Sequence, residues 1–209
     1  MGANGVVLEI ERLARSFGDH EVVNNLTVTV ESGERIAFFG PNGSGKTTVL
    51  RCIAGTLTPT RGEVRVQGDP AGSMVARRKV GVSMAQDRAW YMRLTGRANL
   101  LFFARLRHDR ETEARRDVAA LEEELEIAAI TAERVDRCSS GMVQQLGLAR
   151  ALLGSPTLLL LDEPTRSLDR AARARFWAAV DRRPDVAAVV ASHLDEDIER
   201  CGRRIDFPL

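Results

Sequence analysis

The spacing of apolar residues divides the chain into segments of different predicted structure. Short segments rich in β-branched or alternating apolar residues predict strands at 6–13, 22–30, 35–39, 63–66 and 79–84. From 87 to 154 the apolar positions recur at helical spacing, and no segment there has a convincing strand pattern. Two fully apolar segments follow, 158–161 and 186–191, and such segments are typical of central strands in a parallel sheet.

The order of these elements predicts an α/β core that is interrupted by a helical insert. Helices are predicted at 46–54, after a glycine-rich loop, and at 171–183, between the two apolar strands. We therefore assign residues 1–86 and 155–209 to the core, including an N-terminal β subdomain, and residues 87–154 to the insert.

Composition and charge narrow the possible functions. At 209 residues and 44% hydrophobic content, the chain is long enough to bury a sizeable core. Its 30 basic residues nearly balance its 29 acidic ones, which argues against nucleic-acid binding. This overall balance is still compatible with a local basic patch. The apolar runs are far shorter than the ~20 residues of a membrane span, and the three cysteines lack metal or redox spacing.

The segment GPNGSGKT, residues 40–47, matches the phosphate-binding pattern G-x-x-x-x-G-K-[ST] between a predicted strand and a predicted helix. Its glycines allow backbone N–H groups to approach phosphate oxygens, and the helix N-terminus adds the positive end of its dipole. Lys46 is expected to reach the outer phosphates of a nucleotide, and the Thr47 hydroxyl to ligate Mg²⁺. The alternative, a purely structural glycine turn, is disfavoured by the strand–loop–helix setting. The predicted nucleotide-binding residues of this loop are Gly40, Pro41, Asn42, Gly43, Ser44, Gly45, Lys46, Thr47 and Thr48.

Two carboxylates follow the apolar segment LLLL, in LLLLDEP at 158–164. A carboxylate at the end of a buried parallel strand projects toward the crevice where ligands bind in α/β sheets. Asp162 is therefore predicted to hold Mg²⁺ through water, and Glu163 to orient or deprotonate an attacking water. Alternatively, Asp-Glu-Pro is a polar turn that ends the strand, which a complete phosphate loop in the same chain disfavours.

His193 ends the second apolar segment, in VAAVVASH. A histidine at a strand end is more often a surface residue or a satisfied core residue. Here its strand is predicted to neighbour the strand before Asp162, so the imidazole is expected to reach the outer phosphate. A third polar pattern, the acidic run at 122–124, is interpreted as a solvated helix face.

Together these motifs resemble those of the ATP-binding subunit of an ABC transporter, and the resemblance covers nearly the whole chain. The motifs come in the order of that family: the phosphate loop at 40–48, SMAQD around Gln86, CSSGM at 138–142, LLLLDEP at 158–164, SLD at 167–169 and ASH at 191–193. The resemblance implies an α/β fold with a P-loop NTPase (RecA-like) core sheet, a small antiparallel β subdomain and an inserted α-helical subdomain. It also implies ATP and Mg²⁺ as cofactors.

The resemblance also implies roles for three further residues. Gln86 is expected to sense the γ-phosphate through Mg²⁺ or water, to belong to the catalytic and metal sites, and to hinge the helical insert. Phe17, in RSFGD, is expected to stack on adenine, although a phenylalanine before glycine is otherwise a core residue. Asp169, in the SLD turn, resembles the residue that links two nucleotide sites across a dimer interface.

The segment CSSGM occupies the position of the family's LSGGQ-type signature, at the start of a predicted helix. The resemblance implies that Ser139, Ser140 and Gly141 contact the ATP of a second subunit, since a helix N-terminus and a serine hydroxyl suit a phosphate. We therefore predict a dimer that closes on ATP, with either a second copy or a different chain as partner. Cys138, Ser140 and Met142 depart from the usual pattern, and Ser140 either crowds the phosphate or adds a donor.

The predicted function is that of a transporter motor, in which ATP hydrolysis drives an integral-membrane permease on a separate chain. The segment LTGRANLLFFARL resembles the corresponding segment of exporter motors more than that of importer motors, so export is expected. Trp90 and Tyr91 either line the groove that receives the permease or belong to the core of the insert. The predicted location is cytoplasmic, on the inner face of a bacterial cell membrane, and no nucleic-acid partner is expected.

Two alternatives belong to other functional classes. Soluble ABC ATPases that act on nucleic acid or ribosomes typically carry two cassettes, a long coiled-coil insert or basic extensions, and this sequence has none of these. A nucleotide-binding scaffold without turnover is disfavoured by the four residues that are intact for hydrolysis, Lys46, Asp162, Glu163 and His193. No feature of the sequence predicts the transported substrate.

Overall fold

The structure, a computed structural model, describes residues 5–84 and 89–208. The strands are β1 (Val6–Phe17), β2 (His20–Glu31), β3 (Arg35–Phe39), β4 (Arg61–Val66), β5 (Asp69–Pro70), β6 (Val80–Ser83), β7 (Leu158–Asp162), β8 (Ala187–Ala191) and β9 (Arg203–Asp206). The helices are α1 (Lys46–Ile53), α2 (Met74–Lys79), α3 (Gly96–Arg105), α4 (Glu111–Glu124), α5 (Ala128–Ala132), α6 (Ser140–Leu152), α7 (Arg170–Asp181) and α8 (Asp195–Ile198), with a 3-10 turn at Val135–Arg137. Within the described residues, no helix combines the length and the apolar character needed to cross a membrane.

The central sheet is parallel and has the strand order β6-β7-β8-β3-β9. Strands β7 and β8 are fully buried, as their apolar sequences predict. Ala191 pairs with Asp162 on one side and with Phe38 on the other, so the carboxyl ends of β3, β7 and β8 lie side by side. The glycine loop, the Asp162–Glu163 turn and His193 all follow these strand ends, which brings three sequence motifs to one edge of the sheet.

Both faces of the parallel sheet are covered, because successive side chains of a strand point to opposite faces. Leu158 and Leu160 pack in a core with α1 and with the antiparallel sheet. Leu159 and Leu161 pack instead with α3, α4, α6 and α7. The antiparallel sheet has the order β2-β1-β4-β5, and the predicted α/β class with an antiparallel β unit and a helical insert is confirmed.

The acidic run of the insert was predicted as a solvated face, and this prediction is wrong for two of its three residues. Both carboxylate oxygens of Glu122 accept hydrogen bonds from Arg97 at 2.8 Å, and only 7% of Glu122 is exposed. Both oxygens of Glu124 accept from Arg183, beyond the end of α7, again at 2.8 Å. Only Glu123 is solvated, and the Glu124–Arg183 contact joins the insert to the core.

The two neighbouring aromatic residues at the start of the insert have different environments. Trp90 is 7% exposed and contacts the Phe103 ring edge-on, with 5.8 Å between the ring centroids. Tyr91 is 50% exposed and contacts Phe102 at 5.1 Å. Of the two interpretations open from the sequence, Trp90 therefore belongs to the core of the insert, and only Tyr91 is available to a partner.

Candidate active site

A cavity of about 370 Å³ opens at the carboxyl edge of the parallel sheet, between β3 and α1. The glycine loop bends sharply here, and Gly45, with φ of 100°, is the last residue before α1. A Cβ on Gly45 would lie 2.8 Å from the carbonyl oxygen of Val22, so only glycine fits. No side chain caps the N-terminus of α1, which leaves its first N–H groups available to an anion. The cavity is lined by Asn42, Gly43, Ser44, Gly45, Lys46, Thr47, Thr48, Arg51, Met84, Asp162, Glu163 and Arg166.

Two side chains of the loop have hydrogen-bonding groups that are left over for a ligand. The Lys46 ammonium, on a residue only 7% exposed, donates to the carbonyl oxygens of Gly40 and Pro41 at 2.7 and 2.8 Å. An ammonium has three N–H donors, so a third remains for a ligand oxygen. The Ser44 hydroxyl is buried and has no hydrogen-bond partner in the part of the chain that the structure describes. Both features fit a bound phosphate chain.

The oxygen atoms of Thr47 and Asp162 form a candidate Mg²⁺ site. The Thr47 hydroxyl donates to Asp162 at 2.9 Å, and Asp162 is 5% exposed. Burial raises the pKa of Asp162 and the nearby Glu163 adds to the effect, against the Thr47 hydrogen bond and the charges of Lys46 and Arg51. Mg²⁺ prefers such oxygen ligands, and a cation here would stabilise the ionised carboxylate. The residues present therefore fit the metal.

Glu163 and His193 meet beside this site. Glu163 has a left-handed backbone with φ of 50°, and its N–H donates to the Ala191 carbonyl at 2.7 Å. Its buried Oε2 lies 2.7 Å from His193 Nδ1, but the contact is not aligned as a hydrogen bond, and no other described residue donates to this oxygen. The His193 side chain is 45% exposed. A buried carboxylate oxygen with spare acceptor capacity is suited to hold and orient a water molecule.

Phe17 lies at the end of β1, where it pairs with His20 in the turn to β2. It is 48% exposed, so the alternative of a core residue is wrong. The guanidinium of Arg15 lies 4.6 Å from the centre of its ring. Phe17 is not among the residues that line the cavity, and a role in adenine stacking stays a prediction.

The signature residues lie apart from this cavity. Ser139 caps α6, since its hydroxyl accepts a hydrogen bond from the N–H of Met142 at 3.2 Å. Ser139 and Ser140 are exposed, and neither lines the cavity of its own chain. Gly141 lies so close to the turn after Glu163 that a Cβ would be 2.7 Å from the Ser167 carbonyl oxygen. The structure thus brings the glycine loop, Asp162, Glu163 and His193 together, and it leaves the signature at the surface.

Two predicted site residues remain, Asp169 and Gln86. Asp169 caps α7 by accepting a hydrogen bond from Ala172 at 2.7 Å, and it is exposed. Gln86 lies outside the described residues. Sequence reasoning missed Arg51, Met84 and Arg166, which line the cavity. Only Arg166 had a signal in the sequence, its position directly after the DEP turn.

Comparisons with known proteins give a consistent family. The profile of the family described as "ABC transporter" matches residues 23–166. The Nod factor export ATP-binding protein I of Rhizobium sp. (strain N33) is 36% identical over 203 residues, which cover 95% of this chain and 66% of that protein. The protein of the same name in Rhizobium meliloti (strain 1021) is 37% identical over 206 residues, covering 95% and 60%. An uncharacterized ABC transporter ATP-binding protein of Bacillus subtilis (strain 168) is 33% identical over 195 residues, covering 93% and 65%. The chain thus spans 60 to 66% of the length of these relatives.

Solved structures share the fold. The structure of an ATP-binding subunit of an ABC transporter is similar with a TM-score of 0.86 at 25% identity, covering 96% of this chain and 85% of that one. A dimeric ATP-binding cassette in a post-hydrolysis state, bound to ADP and Pi, has a TM-score of 0.86 at 22% identity, covering 96% and 94%. The P-loop NTPase fold predicted from the sequence is confirmed by these similarities.

Proposed function

Because the chain belongs to the ABC transporter family, we propose that it binds ATP and Mg²⁺ in the cavity described above and hydrolyses ATP in a closed dimer. Hydrolysis would drive a permease on a separate chain. One observation carries this proposal: Lys46, Asp162 and Glu163 line a single cavity, and His193 contacts Glu163 at its edge.

The triphosphate lies along residues 40–48 and the N-terminus of α1. The backbone N–H groups and the helix dipole neutralise part of its charge. The third N–H of Lys46 donates to an outer phosphate, and the buried Ser44 hydroxyl gains its missing partner. Phe17 stacks on adenine, which its half-exposed ring permits.

Thr47 and Asp162 would hold Mg²⁺, with Gln86 completing the site. When bound, the metal supplies charge neutralisation on the phosphate oxygens of the leaving and transferred groups. Asp162 serves this role in its ionised form. Because burial disfavours the ionised form of Asp162, a bound cation stabilises this carboxylate more than it would stabilise an exposed one.

Glu163 orients the attacking water and accepts its proton as the water oxygen bonds to the γ-phosphorus. The unsatisfied Oε2 supplies the acceptor, and the strained backbone at Glu163 fixes where it points. His193 donates from its ring to an oxygen of the γ-phosphate while it contacts Glu163. The bond to the leaving ADP oxygen breaks as the bond to water forms.

The second half of each site comes from a second ATP-binding subunit. Ser139, Ser140 and Gly141 are exposed or half-buried at a helix N-terminus and do not line the cavity of their own chain. A partner in the opposite orientation would bring them to the γ-phosphate. Asp169, exposed in the turn after Glu163, lies where it can contact that partner.

The permease would contact the helical insert, residues 87–154, which we treat as a separate unit from the core of residues 1–86 and 155–209. The insert exposes the apolar side chains of Tyr91, Met92 and Phe102, which are 50%, 51% and 43% exposed. The names of the relatives support export as the direction of transport. Such a subunit would lie in the cytoplasm on the inner face of a bacterial membrane.

The two lysines of the chain test the assignment of the nucleotide site. Lys46→Ala should reduce ATP hydrolysis by at least about a hundredfold, because it removes a charge aimed at the outer phosphates. Lys79→Ala is the matched control, since Lys79 forms an ion pair with Asp69 at 2.8 Å and does not line the cavity. Steady-state ATPase assays on both purified variants measure the difference. Equal losses in the two variants, or full turnover by Lys46→Ala, would show that the site is assigned wrongly.

A further inference from the structure

Asp197, on α8, is a fully buried carboxylate that accepts hydrogen bonds from three different elements. The Thr165 hydroxyl lies 2.8 and 3.0 Å from its two oxygens, the Ser192 hydroxyl 3.0 Å from Oδ2, and the Trp177 indole N–H 3.3 Å from Oδ1. Its exposed fraction is 0%, and it forms no salt bridge within the described residues. Burial raises the pKa of this carboxyl, and the three hydrogen bonds oppose the shift. Such a group is costly to bury, so its role needs an explanation beyond filling space.

The first connection runs to the turn that carries Glu163. Thr165 lies two residues after Glu163 and is itself completely buried. Glu163 has a left-handed backbone, which an L-residue adopts only when its surroundings hold it there. The hydrogen bond from the Glu163 N–H to Ala191 fixes one side of the turn, and the Thr165–Asp197 contact fixes the other.

The second connection runs to the end of β8. Ser192 directly precedes His193 and is also completely buried. Its hydroxyl donates to Asp197, and it accepts a hydrogen bond from the N–H of Leu194 at 3.1 Å. One side chain therefore fixes the backbone on both sides of His193.

We propose that Asp197 is a positioning residue that sets the distance between Glu163 and His193 by holding Thr165 and Ser192 on one carboxylate. This inference rests on the proposed function, which gives Glu163 and His193 their roles in hydrolysis. Asp197 touches neither the cavity nor the glycine loop, so it acts on turnover through these two residues and leaves the grip on ATP unchanged.

Replacing Asp197 by Asn tests this role with little change of shape. The amide has only one acceptor oxygen, and its NH₂ group faces the donors of Thr165, Ser192 or Trp177. We expect kcat to fall about tenfold or more, since small displacements of catalytic groups have effects of that size. The affinity for a fluorescent ATP analogue should change less than about twofold, because residues 40–48 are untouched. Asp195→Asn, an exposed carboxylate on the same helix, is the matched control and should keep wild-type kcat.

Hydrogen exchange of the same variants gives a readout without turnover. Asp197→Asn should increase exchange in residues 163–169 and 191–194 and leave residues 46–53 protected as in the wild type. If Asp197→Asn does not fold, Thr165→Val and Ser192→Ala carry the same test, because each removes a hydroxyl that donates to Asp197. Ser192→Ala also removes the acceptor of the Leu194 N–H. Each should lower kcat, the first through Glu163 and the second through His193.

The outcomes separate this inference from the proposed function. Glu163→Gln and His193→Ala are measured alongside, and wild-type turnover in both would overturn the proposed catalytic roles and this inference with them. If those two lose turnover while the folded Asp197→Asn, or both of the folded variants Thr165→Val and Ser192→Ala, keep wild-type kcat, only the positioning role is overturned. An equal loss of ATP affinity and kcat, or faster exchange throughout the chain, would also overturn it, because either shows a general loss of structure.

Discussion

At the scale of single residues, the site depends on polar atoms that the fold buries without full satisfaction. Ser44 Oγ and Glu163 Oε2 have no aligned partner among the described residues, and burial raises the pKa of Asp162. Such atoms cost stability until a ligand, metal or water satisfies them. Local sequence patterns were enough to predict roles for these residues, because a phosphate loop and a strand-end carboxylate each have a recognisable motif. It did not predict their burial, which depends on how α1 packs against β7 across more than a hundred residues.

The hydroxyl of Thr47 gives a test of the proposed metal site. Thr47→Val keeps the side-chain shape but loses the oxygen that donates to Asp162 at 2.9 Å. We expect the Mg²⁺ concentration for half-maximal ATPase to rise about tenfold, because one oxygen ligand is gone. Thr47→Ser retains the hydroxyl and should behave like the wild type in the same Mg²⁺ titration. A valine variant with unchanged Mg²⁺ dependence would count against Thr47 as a ligand.

At the scale of elements, local sequence patterns predicted correctly those strands whose burial follows from their own apolar composition. The apolar segments 158–161 and 186–191 became β7 and β8, at the centre of the sheet. The segment predicted at 6–13 continues to Phe17, because its pairing with β2 passes through irregular positions that hide the alternation. The prediction that the acidic run is solvated was wrong for Glu122 and Glu124 because their partners, Arg97 and Arg183, are distant in sequence.

The ion pairs of Glu124 connect α4 with the end of α7, and they predict a pH-dependent contribution to stability. The hydrogen bond from Arg183 lowers the pKa of Glu124, and Arg182 adds to the shift, while burial opposes it. A carboxyl with a lowered folded-state pKa stabilises the fold above its unfolded-state pKa, and this contribution is lost as the pH falls through the folded-state value. Glu124→Gln should therefore reduce the free energy of unfolding by about 1 kcal/mol at neutral pH and by less in acid.

Urea unfolding of the purified chain at neutral and acid pH measures this difference. Glu123→Gln is the matched control on the same helix, since Glu123 is exposed and forms no ion pair in the described part of the chain. It should leave the unfolding free energy within about 0.5 kcal/mol of the wild type. A Glu124→Gln deficit that stays constant down to acid pH would mean that its charge is not the stabilising feature.

At the scale of the whole molecule, the two groups of residues that the proposal assigns to the site lie in different places on one chain. Ser139 caps an exposed helix start, whereas Lys46 is buried beside the cavity, and the two do not line a common space in one chain. The resemblance to the ABC transporter family is what predicted a signature that serves a second subunit, and the signature residues do not line the cavity of their own chain. The sequence did not predict whether the partner subunit is a second copy or a different chain, or which substrate is transported, since the contacts that select them involve atoms of other chains.

Mixing two inactive variants tests whether the site is shared between chains. Lys46→Ala disables the phosphate loop of a protomer, and Ser139→Trp places a bulky side chain where the signature would meet the partner's ATP. Each variant alone should hydrolyse little ATP. In a mixed dimer, the intact loop of the Ser139→Trp chain meets the intact signature of the Lys46→Ala chain, so one site is whole. We therefore expect ATPase activity to reappear on mixing.

The control for this recovery is a mixture of Lys46→Ala with Glu163→Gln. Both changes affect the same half of a site, the half that each chain builds around its own cavity. Every site in that mixed dimer carries one of the two defects, so mixing should restore nothing. If Ser139 instead acted on the nucleotide of its own chain, each protomer of the first mixture would also carry a complete defect, and it would stay as inactive as the control. Recovery in the first mixture alone therefore requires that Ser139 serves the nucleotide of its neighbour.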